Sequence, residues 1–506
     1  MKHAHTSHAP KPRACGILAH VSSLPGPYGI GDLGDGAYAF VDFLEAAGQM
    51  VWQIMPLGPT GYGDSPYAAF SAFAGNPYLI SLDELAALHW LSRQDLDAAP
   101  AFPRDRVDYG PVIEFHVAML RKAHEAFVRH GTPDQRRALN AFVKRAHAWL
   151  PDFARFMAFK GAHHGAIWNA WSTGKEHVTC ARPPGLQDEI AFHTFVQWVF
   201  FTQWFELKSY ANDKGIRIIG DAPIFVAYDS ADVWAHARLF HLDGKGAMTA
   251  VSGVPPDFFS ETGQLWGNPL YRWDVLRREN YEWWIERLRW LLKTVDIVRI
   301  DHFRGFEACW QVPAGEQTAV NGAWVKVPGL SFFKSVREQL GDLPVIAEDL
   351  GVITPEVDAI RDACGFPGMK VLQFGFGGDA SSVYLPHNYA PNTVVYTGTH
   401  DNDTARGWYA SADEKVRDHV RRYFGRDGSD IHWDLIRAAL ASVSRMAVVP
   451  IQDVLGLGSE ARMNFPGKAS GNWQWRVTGE QLASADAARL RALAGLYGRR
   501  TDGTME

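Results

Sequence analysis

Eight apolar, strand-like runs separated by stretches of helical periodicity are the feature that most constrains the fold of this chain. Several of the runs are continuously apolar rather than alternating, which is typical of parallel strands covered on both faces. Strand and helix repeated eight times predict a closed, parallel (β/α)8 barrel of the α/β class. The runs lie near residues 16–24, 51–57, 216–222, 296–302, 344–350, 369–375, 393–399 and 446–452.

Apolar spacing and connection lengths predict how the rest of the chain is arranged around these runs. Before the fourth run, apolar side chains recur every three or four residues from Tyr281 to Leu292, so this helix should pack on the barrel wall. About 160 residues separate the second run from the third, although a parallel connection needs only a dozen or more. We therefore expect a tail over 1–14 and one barrel domain over 15–506. Its insertions would be a mainly helical subdomain over about 80–212 and a smaller one over about 227–273.

Composition and charge exclude several classes of function. The chain has 506 residues, of which 47% are hydrophobic, and a formal net charge of −6. It has no long basic run of the kind that binds nucleic acid. No apolar stretch reaches the roughly 18 residues of a membrane span, and the N-terminus lacks the apolar core of a secretory signal. We therefore expect a cytoplasmic protein that has neither a nucleic-acid partner nor a membrane partner.

Four acidic residues stand at the ends of predicted strands. Asp221 ends the third run, Asp301 the fourth and Glu348 the fifth, and Asp401 closely follows the seventh. The C-terminal ends of parallel barrel strands meet at one mouth, where barrel active sites are built. A single acid in such a place is more often a helix cap or one half of a surface ion pair. Several carboxylates at one mouth repel one another, and this cost in stability favours a functional role.

The neighbours of these acids suggest different roles for them. In V-R-I-D-H-F, Arg299 and Asp301 are two residues apart and face the same side of a strand, so the guanidinium can keep the carboxylate ionised, as a nucleophile requires. In V-I-A-E-D-L-G, Glu348 follows an apolar strand, where burial and nearby carboxylates should raise its pKa, as a general acid requires. In T-G-T-H-D-N-D, His400 and Asp401 can bind adjacent hydroxyls of a sugar ring.

A metal site is the competing interpretation of the same residues. Barrels with His and Asp at strand ends include metallohydrolases, which generally use several histidines. Here only His302 and His400 stand beside the acids, with His20 as a further strand-end candidate. The four cysteines are far apart and form no C-x-x-C pair. We therefore expect no metal and no cofactor, and keep a metallohydrolase as the minority alternative.

Aromatic residues in loops rich in Gly and Pro favour a sugar ligand, because flat rings stack on the C–H faces of pyranoses. Most of the 19 Trp and 16 Tyr residues should pack in the core. Core packing explains less well those that lie in irregular loops. These loop residues are Tyr62, Tyr67, Trp266, Trp473 and Trp475.

At these residues the sequence resembles the 4-α-glucanotransferases, or amylomaltases, a branch of the α-amylase superfamily. The resemblance covers about residues 16–493, whereas residues 1–12 have no counterpart in the family. Too few residues follow the eighth run for the C-terminal β-sandwich of many amylases, which also favours this branch. The segments that carry the resemblance are H-V-S-S-L-P-G-P-Y-G-I-G-D-L-G from His20, L-G-P-T-G-Y-G-D-S-P-Y from Leu57, G-D-A-P-I-F-V from Gly220, G-V-P-P-D-F-F-S from Gly253, and R-M-N-F-P-G from Arg462.

The resemblance implies a retaining double displacement on α-1,4-glucans such as malto-oligosaccharides or maltodextrin. Asp301 would attack the anomeric carbon, Glu348 would act as acid and then as base, and Asp401 would stabilise the transition state. It also implies a second glucan-binding surface formed by Tyr62 and Tyr109. The substrate-binding residues that it implies are Tyr67, Asp221, Trp266, Arg299, His400 and Asn464.

Two further functions remain open at this point. The same carboxylates could hydrolyse α-glucans, since the motifs do not fix the ratio of transfer to hydrolysis. A catalytically inactive barrel that only binds glucan would show the loss of one of the acids, and all three are present. The sequence makes no prediction of the oligomeric state.

Overall fold

The structure is a computed structural model that describes residues 13–171, 185–256, 260–468 and 470–500. Most of the expected tail, residues 1–12, and part of the G-V-P-P-D-F-F-S segment, residues 257–259, lie outside the described residues. The expected end of the tail at residue 14 is wrong, because Ala14 already belongs to the first strand and is buried. Arg13 is also held in place, since its guanidinium donates hydrogen bonds to the carbonyls of Leu440, Ser442 and Tyr497.

Eight parallel strands form the barrel, in the order β10-β11-β12-β1-β2-β3-β6-β9. Continuous backbone registers join the neighbours in this order, and between β9 and β10 the Ala347 N–H donates to the Pro367 carbonyl at 2.9 Å. Each predicted run overlaps one of these strands, so the predicted barrel is confirmed. The strands are β1 (Ala14–Leu18), β2 (Val51–Gln53), β3 (Arg217–Pro223), β6 (Ile297–Asp301), β9 (Val345–Ala347), β10 (Gly368–Val371), β11 (Thr393–Tyr396) and β12 (Met446–Pro450).

Side chains from all eight strands fill the barrel interior, as barrel packing requires. Because alternate residues of a strand face the same side, the residue two positions after an inward side chain also faces inward. Asp221 follows Ile219 in this way, and Arg299 follows Ile297. The interior therefore changes from apolar to charged towards the C-terminal ends of the strands. The apolar part consists of Ala14, Leu18, Val51, Ile219, Ile297, Ile346, Met369, Val371, Val394, Tyr396, Met446 and Val448.

Helices surround the barrel and build the expected long insertion. The helix predicted before the fourth strand forms as α10, with Trp284, Ile285 and Leu288 buried as the apolar stripe indicates. The segment 80–212 contains α2 to α6 and nearly all of α7, and none of the described helices is long and apolar enough to cross a bilayer. The helices are α1 (Asp35–Ala46), α2 (Leu82–Ala87), α3 (Arg93–Asp97), α4 (Tyr109–His130), α5 (Pro133–Arg145), α6 (Leu150–Ala162), α7 (Leu186–Asp213), α8 (Ala231–Ala235), α9 (Trp273–Arg278), α10 (Glu282–Thr294), α11 (Gly329–Leu340), α12 (Pro355–Cys364), α13 (Ala405–Ser411), α14 (Glu414–Phe424), α15 (Ile431–Ala441), α16 (Ile451–Val454), α17 (Gly479–Ser484) and α18 (Ala487–Leu496).

A second, antiparallel sheet stands at the rim of the barrel, and we call it the rim sheet. Its order is β5-β4-β7-β8, with β4 (Ala250–Val254), β5 (Gln264–Pro269), β7 (Ala308–Pro313) and β8 (Ala323–Lys326). The first two strands come from the smaller insertion expected over 227–273. The other two come from the connection between β6 and α11, which the sequence did not predict to contain strands.

One buried arginine ties the two ends of the described chain to the base of the barrel. Arg499 follows α18, is fully buried, and directs its guanidinium at the N-terminal ends of β1 and β12. A buried guanidinium is stable only when its donors are satisfied, and here they are satisfied by backbone carbonyls alone. These carbonyls belong to Ala14 (2.9 Å), Ala439 (3.3 Å), Leu440 (2.7 Å), Ser442 (3.1 Å) and Ser444 (3.0 Å).

We predict that Arg499→Ala lowers the free energy of unfolding by about 3 kcal/mol, because several buried carbonyls lose their donor together. Urea unfolding measures the loss. Arg93→Ala is the matched control, since Arg93 forms an exposed ion pair with Asp83 and should change stability by less than about 1 kcal/mol. Equal losses of stability in the two variants would contradict the proposed role of Arg499.

Candidate active site

A buried arginine lies at the centre of the charged end of the barrel. The Nη1 of Arg299 donates to Asp221 Oδ2 at 2.5 Å and to Asp301 Oδ1 at 3.1 Å. Strand register places Arg299 directly beside Asp221, on β6 and β3. Asp221 Oδ2 also accepts a hydrogen bond from the Tyr67 hydroxyl at 2.7 Å. The structure thus brings together four of the residues that the sequence analysis singled out.

Asp301 ends β6 and is the more accessible of the two carboxylates bound to Arg299. Its side chain is 31% exposed, against 1% for Asp221. Burial raises the pKa of Asp301 to about 6, with Arg299 acting against the rise and the carboxylates of Asp221 and Asp401 adding to it. Asp301 is therefore mostly ionised at neutral pH, and its charge is less stabilised than that of an ordinary surface aspartate.

Glu348 lies beside Asp301, at the end of the neighbouring strand. Ile300 pairs with Ala347, and the Glu348 N–H donates to the Ile300 carbonyl at 3.0 Å. The Glu348 carboxyl accepts from the backbone N–H of His302 at 2.7 Å and of Leu350 at 3.0 Å. Burial, followed by the charge of Asp301, raises the pKa of Glu348 to about 8 despite these hydrogen bonds. Glu348 thus carries a proton at neutral pH while Asp301 does not.

The backbone conformation of His302 directs its own N–H at the Glu348 carboxyl. His302 has a φ of 52° and a ψ of 50°, a left-handed conformation that residues other than glycine rarely adopt. Such strain persists where the surrounding structure fixes it, and it concentrates at functional sites. From the sequence, His302 was expected only as a possible metal ligand beside the acids. Its backbone role was missed because backbone dihedral angles leave no local signal in a V-R-I-D-H-F segment.

Asp401 is held at the opposite side of the site by three side chains. Asn464 Nδ2 donates to Asp401 Oδ1 at 2.6 Å, and His400 Nε2 lies 3.4 Å from Asp401 Oδ2. Arg462 binds the Asp401 carbonyl at 2.6 Å and the Asn464 carbonyl at 2.8 Å. Burial alone would raise the pKa of Asp401, but His400 and Asn464 outweigh it and bring that pKa well below its usual range. Arg462 thus positions the backbone of Asp401 and Asn464. From the sequence it was noted only as part of the R-M-N-F-P-G motif.

Aromatic rings line the wall beside Asp401. Tyr67 stacks on His400 with ring centroids 5.2 Å apart, and Trp473 lies 5.6 Å from Tyr67 and 5.8 Å from His400. The Tyr109 hydroxyl donates to the Trp473 carbonyl at 2.9 Å. Tyr67, His400 and Trp473 therefore form one aromatic cluster beside Asp401.

Of the two residues expected to form a second glucan-binding surface, only Tyr62 is exposed. Tyr62 is 85% exposed, but Tyr109 is 7% exposed and its hydroxyl is already bonded inside the protein. The expectation for Tyr109 is therefore corrected. Tyr109 begins α4, where its ring is buried in the hydrophobic core and is not open to a ligand.

Trp266 lies on the rim sheet, at the edge of the site. It lies on β5, is 38% exposed, and meets the ring of His302 edge to face with centroids 4.7 Å apart. His302 is the residue whose backbone N–H holds Glu348. His302 therefore connects the exposed indole, through its ring, to the Glu348 carboxyl, through its backbone N–H.

The histidines of the site are arranged differently from a metal-binding cluster. Among the described residues, no group of three or more His, Cys, Asp or Glu side chains is arranged to hold a metal ion. Burial lowers the pKa of His20 to about 3 and that of His302 to about 4. His400 pairs with Asp401, whose carboxylate gives the His400 pKa a net rise.

Comparison with known proteins identifies the family. The profile of glycoside hydrolase family 77, described as 4-alpha-glucanotransferase, matches residues 19–482. The chain belongs to this family. A 4-alpha-glucanotransferase of Thermus thermophilus is 53% identical over 96% of this chain and 98% of its own, and one of Synechocystis is 50% identical over the same shares. The predicted 4-α-glucanotransferase activity is thereby confirmed.

The solved structures agree with this assignment. An amylomaltase from Streptococcus agalactiae, solved in complex with acarbose, has a TM-score of 0.93 to this chain. It is 40% identical, and the match covers 97% of this chain and all of the amylomaltase. An amylomaltase from Corynebacterium glutamicum, at 19% identity and a TM-score of 0.80, shares the fold. The glucanotransferase barrel described here is thus a known architecture, and its substrate class is α-glucan.

We predict that Asp301→Asn raises the free energy of unfolding at pH 7 by about 1–2 kcal/mol. The reason is that the raised pKa makes an ionised Asp301 unfavourable in the folded protein. This cost appears as the pH rises above the unfolded pKa of about 3.9 and is complete above about 6, so the gain should shrink near pH 4. Urea unfolding at the two pH values measures it.

Asp221→Asn is the matched control for this prediction. It removes the nearest counter-charge of the buried Arg299, so it should lower the stability by about 3 kcal/mol. The two neutral substitutions are isosteric and lie on the same guanidinium. If both changed the stability in the same direction, the assignment of Asp301 as the unfavourable charge would be wrong.

Proposed function

We propose that this chain transfers segments of α-1,4-glucan to an acceptor glucan or to glucose by a retaining double displacement. Asp301 is the nucleophile and Glu348 the general acid and base. The observation that carries this proposal is the pair of carboxyls at neighbouring strand ends, one held by Arg299 and the other by two backbone N–H groups, where burial and the charge of Asp301 raise the pKa of Glu348. Two carboxyls whose surroundings separate their pKa values in this way suit the roles of base and acid.

In the first step, a carboxylate oxygen of Asp301 forms a bond to the anomeric carbon of the donor. The glycosidic bond breaks, and the proton of Glu348 passes to the departing 4-oxygen of the leaving glucan. A covalent glucosyl–Asp301 intermediate results. In the second step, Glu348 takes the proton from the 4-hydroxyl of the acceptor, that oxygen bonds to the anomeric carbon, and Asp301 is released. The configuration of the anomeric carbon is retained because it inverts twice.

Arg299 and the backbone amides supply the fixed charges and donors for both steps. Arg299 holds Asp301 in place at 3.1 Å, so little reorganisation is needed as the charge on Asp301 is lost and regained. The N–H groups of His302 and Leu350 hold the Glu348 carboxyl in one orientation. The lowered pKa of Asp401 leaves a permanent negative charge that stabilises the oxocarbenium-like transition state.

The donor sugar is held by residues on the wall opposite Glu348. Tyr67, His400 and Asp221 form the subsite of the transferred glucose, with Tyr67 stacking on the ring and Asn464 orienting Asp401. Trp266 covers the acceptor side beside His302. Excluding water there favours an incoming glucan over hydrolysis.

The chemistry of the site implies malto-oligosaccharides and maltodextrin as substrates, and the sequence features favour a cytoplasmic location for their use. Tyr62, at 85% exposure, is an additional stacking position on the outer surface. Hydrolysis by the same carboxylates is the alternative outcome that the following experiment separates from transfer.

We predict that the protein, incubated with maltotriose alone, produces glucose and a ladder of longer maltodextrins. Transfer conserves the number of reducing ends, because each bond that breaks is replaced by a new one. Chromatography of the products and a reducing-end assay measure the two quantities. Asp301→Asn should yield no ladder while remaining folded. A rise in reducing ends that matches the glucose released would instead indicate a hydrolase.

The pH dependence of kcat/KM should be bell-shaped, with limbs near pH 6 and pH 8. Below the acid limb Asp301 is protonated and the nucleophile is lost; above the alkaline limb Glu348 is ionised and the acid is lost. The two limbs belong to the coupled pair rather than to either residue alone. Initial rates with maltotriose across the pH range measure the profile.

A donor that needs no acid tests the assignment of the alkaline limb. With α-maltosyl fluoride, whose leaving group departs without a proton, Glu348→Gln should form the intermediate and show no alkaline limb. The acid limb should remain, because Asp301 is unchanged. An alkaline limb that persists in Glu348→Gln would show that another group controls it.

A further inference from the structure

Two tryptophans are more exposed than any others in the described part of the chain. Trp266 is 38% exposed and Trp324 is 39% exposed. Trp266 is accounted for by its contact with His302 at the catalytic centre. Trp324 has no part in the chemistry described above, and its exposed face leaves apolar area in water that a flat ligand could cover.

Trp324 lies on β8, the outer strand of the rim sheet. This strand pairs only with β7, and all four of its residues are exposed. Strand register places Trp324 beside Trp310, and the two rings meet edge to face with centroids 5.3 Å apart. The guanidinium carbon of Arg304 lies 3.7 Å from the centre of the Trp324 ring. A cation–π contact and an aromatic contact therefore hold the exposed indole rigid.

Arg304 connects this indole to both catalytic loops. It belongs to the turn Phe303–Phe306 that directly follows Asp301 and His302. Its Nη1 donates at 2.7 Å to the carbonyl of Val352, in the segment that follows Glu348. The position of the Trp324 ring is thus set by the same two segments that carry the nucleophile and the acid.

We propose that Trp324 is a stacking platform for the α-glucan chain on the leaving-group and acceptor side of the cleft, beyond Trp266. This inference rests on the proposed function, because it assigns a direction to the chain from the role of Glu348. The donor sugar occupies the wall of Tyr67 and His400, so the glucan that receives the proton of Glu348 extends towards the segment of Val352. A rigid ring offers the sugar face a contact at little entropic cost, which is how preorganised sites gain affinity.

The surroundings of Trp324 fit a sugar better than a second protein. Lys326, two residues further along β8, faces the same side as Trp324, is 75% exposed and pairs with Glu307. A ring for the C–H face with charged hydrogen-bonding groups beside it matches the amphipathic surface of a glucan. A protein interface would instead require a broad patch that is depleted of charge at its centre.

The test compares donors of two lengths, since only the longer one reaches the platform. For Trp324→Ala we expect kcat/KM with maltoheptaose to fall about tenfold more than with maltotriose, a difference of about 1.4 kcal/mol. Trp324→Phe keeps a ring and should restore most of the difference. The control is Val443→Ala, because Val443 is 53% exposed just before β12, at the opposite end of the barrel.

Binding measured without turnover separates this inference from the proposed function. In the Asp301→Asn background, calorimetry with maltoheptaose should give a Kd about tenfold higher when Trp324→Ala is added, for the same loss of about 1.4 kcal/mol. An unchanged Kd, or equal losses for both donors, would overturn the platform. So would a change of oligomeric state in Trp324→Ala, seen by size-exclusion chromatography. Failure of the proposed function would appear separately, as a wild-type protein that makes no ladder from maltotriose.

Discussion

The contact of Arg299 with two carboxylates is the interaction on which the active site depends. Arg299 and Asp221 form the fully buried pair, and removing one member of such a pair typically costs about 3–5 kcal/mol because the remaining charge stays buried. The bond to Asp221 is shorter, at 2.5 Å, than the bond to Asp301, at 3.1 Å. Asp221 therefore fixes the guanidinium, and Asp301 is left ionised but incompletely neutralised. This intermediate state suits the nucleophile role proposed for Asp301, since full neutralisation would make the carboxylate unreactive and no neutralisation would leave it protonated.

The raised pKa of Glu348 follows from the same arrangement. Its second cause, after burial, is the negative charge of Asp301, so Glu348 is protonated in part because Asp301 is not. The order β3-β6-β9 makes Asp221, Arg299 and Glu348 neighbours across three strands. The surroundings that set the charges of these carboxyls thus come from three adjacent strands, and no single strand provides them.

The sequence was sufficient for the features that are local or periodic. Apolar runs predicted all eight barrel strands, and the position of the acids at strand ends predicted which charges meet. It was insufficient where tertiary contacts decide the structure. The exposed strand β8 forms only because β7 pairs with it, and the left-handed backbone of His302 is imposed by its surroundings. Tyr109 is buried in the core, where its hydroxyl reaches the distant Trp473 carbonyl. A tail ending at residue 14 was expected because nothing local shows that Ala14 pairs with Met446.

The barrel and the rim sheet contribute different kinds of side chain to the site. Asp221, Arg299, Asp301 and Glu348 all stand on or directly after barrel strands, and hydrogen bonds to Arg299 or to backbone N–H groups hold the three carboxyls. Trp266 stands on the rim sheet, which contacts this group through the ring of His302. Since the backbone N–H of His302 also holds Glu348, the residue that contacts Trp266 is the one that orients the Glu348 carboxyl. A substitution in the rim sheet can therefore change the surroundings of Trp266 and His302 while the four charged residues keep their positions on the barrel strands.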